Sequence, residues 1–157
     1  MTPVCGAGAC STTKRVAIRY WLGVASREHV LRAVAVGLVQ ASHGARAALE
    51  QMGESDGMVY YSPKTQIDGR VLREFTAIGR IAPGIVHQGE SAAPSSYRPW
   101  RRRIDYETDA VAASIRPLLT VLEFTRSDPD WGYQLRRGLL EISRHDFEVI
   151  RRQMRRE

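Results

Sequence analysis

The sequence predicts an α+β fold built on a small, strongly bent, mostly antiparallel sheet. Three observations predict it. Strand-like segments cluster through the middle of the chain instead of alternating one for one with helices. Helix signals stand near the two ends, after Ser26 and after Ser143. The length of 157 residues, 43% hydrophobic and 25% charged, suits one globular domain. Residues 1–17 mix small residues without periodicity and read as a flexible N-terminal leader, leaving 18–157 as a single domain. No internal repeat is present.

The elements follow in order. "IRYWLGVA" concentrates β-branched and aromatic residues up to Ser26, which predicts a first strand. Ser26 is the N-cap of a helix whose apolar face is Val30, Leu31, Val34 and Leu38, and Gly37 sits where that helix stops. "ARAALEQMG" is a short helical turn closed by Gly53. "DGMVYYSPK" is a strand that Pro63 stops, and Asp68-Gly69 makes a hairpin-type turn. "REFTAIGRIAPG" alternates Phe75, Ala77, Gly79 and Ile81 against Thr76, Ile78 and Arg80, the period of a strand. After the polar loop "GESAAPSS", "YRPWRRRIDYE" is a further strand with Pro99 at an edge or bulge. "SIRPLL" is a helical turn, and "WGYQLRRGLLEI" is a loop leading to a last strand. "SRHDFEVIRRQM" is a helix capped by Ser143, with Asp146 at the third position and Phe147, Ile150 and Met154 on one face.

Charge and composition narrow the function classes. The formal charge is +6, and of 23 basic residues all but Lys14 and Lys64 are arginine. Arginine dominance fits either a GC-rich codon usage or recognition of phosphates and bases by planar guanidinium groups. Cys5 and Cys10 form a C-x4-C pair with no second ligand pair, which is neither a zinc nor a redox signature. Nothing at the start resembles a secretory signal, and no apolar run is long enough to cross a bilayer. A cytoplasmic protein with no membrane partner is expected.

No phosphate-cradling loop, dinucleotide fingerprint, zincin motif or nucleophile elbow occurs, and His29, His43, His87 and His145 fall at no metal-ligand spacing. The expectation is no cofactor, no metal and no catalytic residue. Within "GLVQASHGARAAL", Ser42 and His43 are adjacent, the wrong arrangement for a serine and its general base. Either Ser42 ties up backbone with His43 packed beneath it, or Gln40, Ser42 and His43 form the polar edge of a pocket for a ring. "YYSPK" sets two aromatics and a hydroxyl beside Lys64, the lysine of the folded region; a buried tyrosine pair is the plain reading, and a compact ammonium for a ligand is the other. "YRPWRRR" interleaves Tyr97 and Trp100 with Arg98, Arg101, Arg102 and Arg103. That pattern fits a charge-guarded edge strand, or a surface where phosphates meet guanidinium groups while bases stack. The C-terminal "RRQMRRE" places cations where they favour a helix dipole.

Taken together and in order, "YWLGVASREHVLRAVAVGLVQASHGARAAL", "DGMVYYSPKT", "FTAIGRI", "YRPWRRRIDYE" and "WGYQLRRGLLEISRHDFEVI" resemble the bacterial EVE domain proteins over about residues 19–151. The resemblance implies a PUA-like, curved, mostly antiparallel β-barrel flanked by helices, related to the YTH domains, and a pocket for a modified base. It places Ser26, Gln40 to Gly44, the Tyr61-Ser62-Pro63-Lys64 block and Trp131-Gly132 on the family's motif positions. Where YTH domains hold a methyl group in a cage of tryptophans, this chain reads Leu38, Val39 and Gln40, which favours a substituted cytosine over a methylated adenine.

The resulting expectation is a non-enzymatic module that binds DNA or RNA and reads a modified base. Trp21, Tyr61 and Trp131 are the stacking candidates, with Ser62 and Pro63 beside them. Ser26, Gln40, Ser42 and His43 contact the base edge, and Lys64, Arg98 and Arg101 meet phosphates. The alternative is a small hydrolase acting on an N4-acylated cytidine, as in PUA-like relatives of the ASCH type, with Lys64 and Glu74 as the working pair.

Overall fold

A computed structural model describes residues 17–40, 46–88 and 100–155, without the side chains of Gln40, His87, Gln88 and Arg137. The expected leader over 1–17 therefore lies outside the described residues except for Ala17, as does the loop "GESAAPSS".

The first strand, β1 (Tyr20–Val24), runs into helix α1 (Arg27–Val36) through Ser26, whose hydroxyl accepts the His29 N–H at 3.4 Å. Gly37 ends α1 in the left-handed conformation (φ 68°), its N–H reaching the carbonyls of Ala33 and Val34, which is the cap a glycine forms at least steric cost. β2 (Leu38–Gln40) and α2 (Arg46–Glu50) follow, then the hairpin of β3 (Gly57–Lys64) and the long β4 (Val71–Ile81). The remaining strands are β5 (His87–Gln88), β6 (Trp100–Tyr106), β7 (Ala113–Ser114) and β8 (Leu139–Ile142). Between β7 and β8 come a 3-10 turn (Arg116–Leu118), α3 (Glu123–Arg126), α4 (Trp131–Gln134) and a second 3-10 turn (Leu135–Arg137). Helix α5 (Arg144–Met154) closes the chain.

The sheet runs β2-β6-β4-β3-β1-β8, with β5 on β6 and β7 on β4. Only β1 and β3 pair in parallel among the described strands, so the sheet is mixed and mostly antiparallel. These two central strands are apolar on both faces, as strands covered on both sides must be. On one face, Tyr20, Leu22, Tyr61 and Phe75 meet Phe147, Ile150 and Met154 of α5; on the other, inside the curl, Trp21, Met58 and Tyr60 meet Val30 of α1, Val39, Leu49 and Ile104.

Two irregularities in β4 bend the sheet. Tyr60 faces Ala77 while Tyr61 faces Phe75, so Thr76 is an extra residue and the strict alternation expected from Phe75 to Ile81 breaks there. Phe75 thus joins one core and Ala77 the other. A second shift lies between Ser62 and Lys64. Extra residues of this kind raise the local twist and curl a sheet. Gly79 permits the close crossing of β4 on β6: a Cβ there would lie 2.3 Å from the Asp105 carbonyl oxygen.

Several expectations are corrected. Pro63 does not stop β3, which continues to Lys64, because it sits at a register shift where no ladder N–H is required. The stretch after Gly37 is a strand, β2, and "WGYQ" is a turn of helix instead of a loop. Asp146 does not reach back within its own helix. Ser143 does cap α5, accepting the Asp146 N–H at 3.1 Å, while the Asp146 carboxylate caps α3 by accepting the N–H groups of Glu123 (2.8 Å) and Phe124 (3.1 Å).

Candidate binding cleft

The segment from Asp128 to Arg136 forms one wall of an open cleft of about 960 Å³; Val24, Tyr61, Pro63 and Arg73 form the other. Each wall is positioned by local chemistry. Asp128 organises its own loop: one carboxylate oxygen accepts the Asp130 N–H and the other the Gln134 amide, both at 2.8 Å. The Trp131 N–H donates to the Asp128 carbonyl, turning the chain into α4. The α3 cap provided by Asp146, itself 1% exposed, fixes where this wall begins.

At the floor, Tyr61 stands edge-on to Phe75 (5.6 Å between centroids) and to Trp131 (6.4 Å, 78°). Burial pushes the Tyr61 phenol above its ordinary pKa, with the Arg73 charge pulling the other way. The phenol is therefore neutral at physiological pH. At the rim, Tyr133 is 69% exposed and the Arg136 guanidinium lies 5.0 Å from its ring. A cleft with a buried aromatic corner, an exposed ring at its lip and guanidinium groups on both walls accommodates a flat ring that carries an anionic group.

Of the residues singled out by sequence, the cleft brings together Tyr61, Pro63 and Trp131. Trp21 is elsewhere. It is 3% exposed and packs in the core inside the curl, with its Nε1–H donating to Asp56 at 3.0 Å. Asp56 also accepts the N–H groups of Arg19 and Gly53, so Trp21 is held in a buried polar knot instead of offering a face to a ligand. Ser62 is fully buried and shares a 2.8 Å hydrogen bond with Thr76 across the β3–β4 pair. Ser26 stands at the α1 cap, next to Ala25, whose N–H continues the β1–β3 pairing to the Tyr61 carbonyl. Lys64 is exposed at the end of β3. Gln40 ends β2 opposite Arg101 of β6. Ser42, His43 and Arg98 lie outside the described residues. Lys64 and Glu74, the pair considered for hydrolysis, face different partners across the ladder, Val71 and Ser62.

Arg101 lines a separate recess of about 220 Å³ with His29, Arg32 and Leu38. Burial, then the charges of Arg32 and Arg101, hold the His29 imidazole below its ordinary pKa. Trp100 is stacked against Arg46 at 4.8 Å, and Arg102 is buried and donates to the Met52 carbonyl. Of the "WRRR" run, Arg101 and the exposed Arg103 thus remain toward the outside. Sequence reasoning missed Arg73, Tyr133 and Arg136. The last two stood three residues apart in "WGYQLRR", an aromatic beside a cation that helical spacing would have paired; Arg73 carried no such signal.

Among the described residues, Glu123, His145 and Asp146 could together approach a cation. Asp146 already accepts the two α3 amides there and lies 2.9 Å from the His145 Nδ1, so the group reads as a helix cap with an imidazole attached.

Comparison with known proteins bears on the family and the fold. The family model described as EVE domain matches residues 19–153. A UPF0310 protein of Renibacterium salmoninarum is 45% identical over 135 residues, spanning 84% of this chain and 92% of that protein. A UPF0310 protein of Bacillus subtilis is 38% identical over 136 residues, spanning 86% and 91%. Among solved structures, the Mmi1 YTH domain aligns with TM-score 0.54 at 10% identity over 87% of this chain and 74% of that one. A structure titled as the YTH domain-containing protein mmi1 and RNA complex aligns at 0.53 and 10%, over 84% and 78%. A hypothetical protein from Leishmania major aligns at 0.51 and 13%, over 85% and 92%. At these identities the structural likeness shows the fold. No helix among the described residues is long and apolar enough to cross a membrane.

Proposed function

The chain belongs to the EVE domain family, and we propose that it is a nucleic-acid-binding module that receives one modified base, a substituted cytosine, in the cleft beside Tyr61 and Trp131. The observation that carries this reading is the aromatic corner itself: Tyr61 and Trp131 meet at 78° in a cleft open enough for a base to enter from solvent. The RNA bound in the structure of the similarly folded mmi1 YTH domain supports a nucleic-acid partner, as does the formal charge of +6.

Energetics favour a base that is already unpaired. Extruding one from a duplex costs a few kcal/mol, whereas stacking on an aromatic side chain returns about 1–3 kcal/mol per base. Trp131, which is half-buried, supplies the stacking surface, with Tyr61, 2% exposed, backing it edge-on and Pro63 beside them. Lys64, exposed at the end of β3, meets a phosphate, and Ser26, Gln40 and Arg101, which do not line this cleft, contact the flanking nucleotides. Trp21, with its N–H committed to Asp56, has no part in the stack. A single pyrimidine ring with a polar edge suits one aromatic corner better than a methylated purine, which its readers enclose in several tryptophans.

Fluorescence polarisation at physiological salt tests this with single-stranded oligonucleotides, as DNA and as RNA, carrying cytosine, 5-methylcytosine, 5-hydroxymethylcytosine, adenine or N6-methyladenine at the centre. A substituted cytosine should bind at least about tenfold more tightly than cytosine, a difference of roughly 1.4 kcal/mol. Equal affinity for all five would remove the base-reading role.

A further inference from the structure

Strand β4 carries an arginine where its backbone asks for glycine. Glu74 lies opposite Ser62 and Val71 opposite Lys64, so β4 holds one more residue than β3 in this stretch, and Arg73 within it has φ 57°. In bulges with a left-handed position, glycine is the residue that fits, because it has no Cβ to meet the neighbouring carbonyl. A long side chain held there is strained. Ser55, which also has positive φ, lies in the tight turn that closes around Asp56, where the chain must reverse. Arg73 lies inside a strand.

Both sides of the bulge are pinned. The Arg73 carbonyl accepts the Ile115 N–H at 3.1 Å, and Glu74 and Phe75 pair with Ser114 and Ala113 of β7. What the left-handed turn provides is direction: Arg73 becomes a wall residue of the cleft beside Val24 and Pro63, near enough to Tyr61 for its charge to act on the phenol. Arg73 makes no ion pair among the described residues. The opposite wall carries Asp128 and Asp130; the Asp128 carboxylate is occupied by the Asp130 N–H and the Gln134 amide, and neither carboxylate pairs with Arg73 among the described residues. An exposed cation in a strained backbone, aimed into a cleft and unneutralised by the fold, is arranged for an anion from outside.

We infer that Arg73 forms an anion subsite at the cleft wall and that this subsite takes a backbone phosphodiester of the nucleotide whose base occupies the cleft. The inference rests on the nucleic-acid reading of the cleft. A guanidinium suits the role because its parallel N–H groups meet two phosphate oxygens at once, which an ammonium at the same place cannot do.

The test compares wild type with Arg73→Gly, Arg73→Ala and Arg73→Lys. The probes are two single-stranded oligodeoxynucleotides, one with cytosine and one with 5-methylcytosine at the centre, both lacking terminal phosphates so that only phosphodiesters are offered. Thermal unfolding is measured alongside. Arg73→Gly is the informative variant because glycine relieves the backbone: its Tm should equal or exceed that of wild type. Its affinity should fall at least about fivefold for both probes by the same factor, with the slope of log affinity against log salt shallower by about 0.7. Arg73→Lys should recover part of the affinity. Wild-type affinity and salt slope in Arg73→Gly would overturn the subsite while leaving the base-binding reading intact. A loss confined to one probe would overturn it as well, by placing Arg73 on the base. If wild type itself binds neither oligonucleotide, as DNA or as RNA of the same sequence, the nucleic-acid reading fails and the phosphodiester subsite fails with it.

Discussion

Replacing Asp146 with alanine should loosen the cleft wall before it disturbs the sheet. Asp146 is 1% exposed and its two oxygens accept the Glu123 and Phe124 amides at 2.8 and 3.1 Å. Leu122, which precedes α3, provides no side-chain cap of its own. Removing the carboxylate strands two donors at a helix start. Each unsatisfied donor costs about 1–3 kcal/mol when buried; these two are only partly buried, so the lower half of that range applies to each and the total is about 2–4 kcal/mol. For a chain of this size that lowers Tm by roughly 4–16 °C. Asparagine keeps one acceptor and should recover about half. Thermal unfolding by circular dichroism gives the magnitude, and amide hydrogen exchange gives the place. Protection should fall first over residues 123–134 while β1, β3 and β4 keep theirs. A Tm loss under about 2 °C, or exchange that accelerates uniformly, would refute the idea that this one carboxylate anchors the wall carrying Trp131.

Three further outcomes are expected. Trp131→Ala should weaken binding of the preferred oligonucleotide by about 1–3 kcal/mol, roughly 5- to 150-fold, whereas Tyr133→Ala, at a ring 69% exposed, should leave Tm unchanged and weaken binding less; polarisation titrations of both variants decide. Trp21→Phe removes a buried hydrogen bond to a carboxylate, costing about 1.5–3 kcal/mol of stability, yet should leave oligonucleotide affinity within about twofold; a loss matching that of Trp131→Ala would return Trp21 to the site. Because burial, with Arg32 and Arg101, depresses the His29 pKa below 6.5, the unfolded chain binds more protons than the folded one in the window just below pH 6.5. Stability should fall as pH drops through that window and level off below the folded value. Denaturation of His29→Gln at pH 7.5 and 5.5 should show a smaller loss than wild type, and an identical loss would mean that His29 is not desolvated.

The parts of the fold that were legible are those fixed by neighbouring residues. Ser26, Gly37 and Ser143 act through atoms three or four positions away, so the caps of α1 and α5 could be read directly, and the order of the five motif blocks carried the family assignment. Features that depend on pairing register could not be read. Trp21 pairs with Met58 and Val24 with Tyr61 in the parallel β1–β3 ladder; directly paired residues share a face, and 21 and 24 are an odd number of residues apart, so Trp21 and Tyr61 must face opposite ways. Nothing in either strand alone announces that register. β2, with three residues, is too short for periodicity to show, and α4, with four, is a single turn.

The cleft is harder to read than the fold because it is a product of irregularity. Tyr61, Arg73 and Trp131 come from three segments, and what aligns them is a pair of extra residues in β4 and a cap donated to α3 from α5. The extra residue at Thr76 separates Phe75 from Ala77 so that Phe75 backs Tyr61, and the one at Arg73 turns a strand side chain into a wall of the cleft. A uniformly alternating β4, the simplest strand its sequence suggests, would pack both cores more regularly and lose this arrangement. The bulge serves the fold by bending the sheet, and the arginine at φ 57° within it, where the backbone favours glycine, is the feature on which the proposed anion subsite rests.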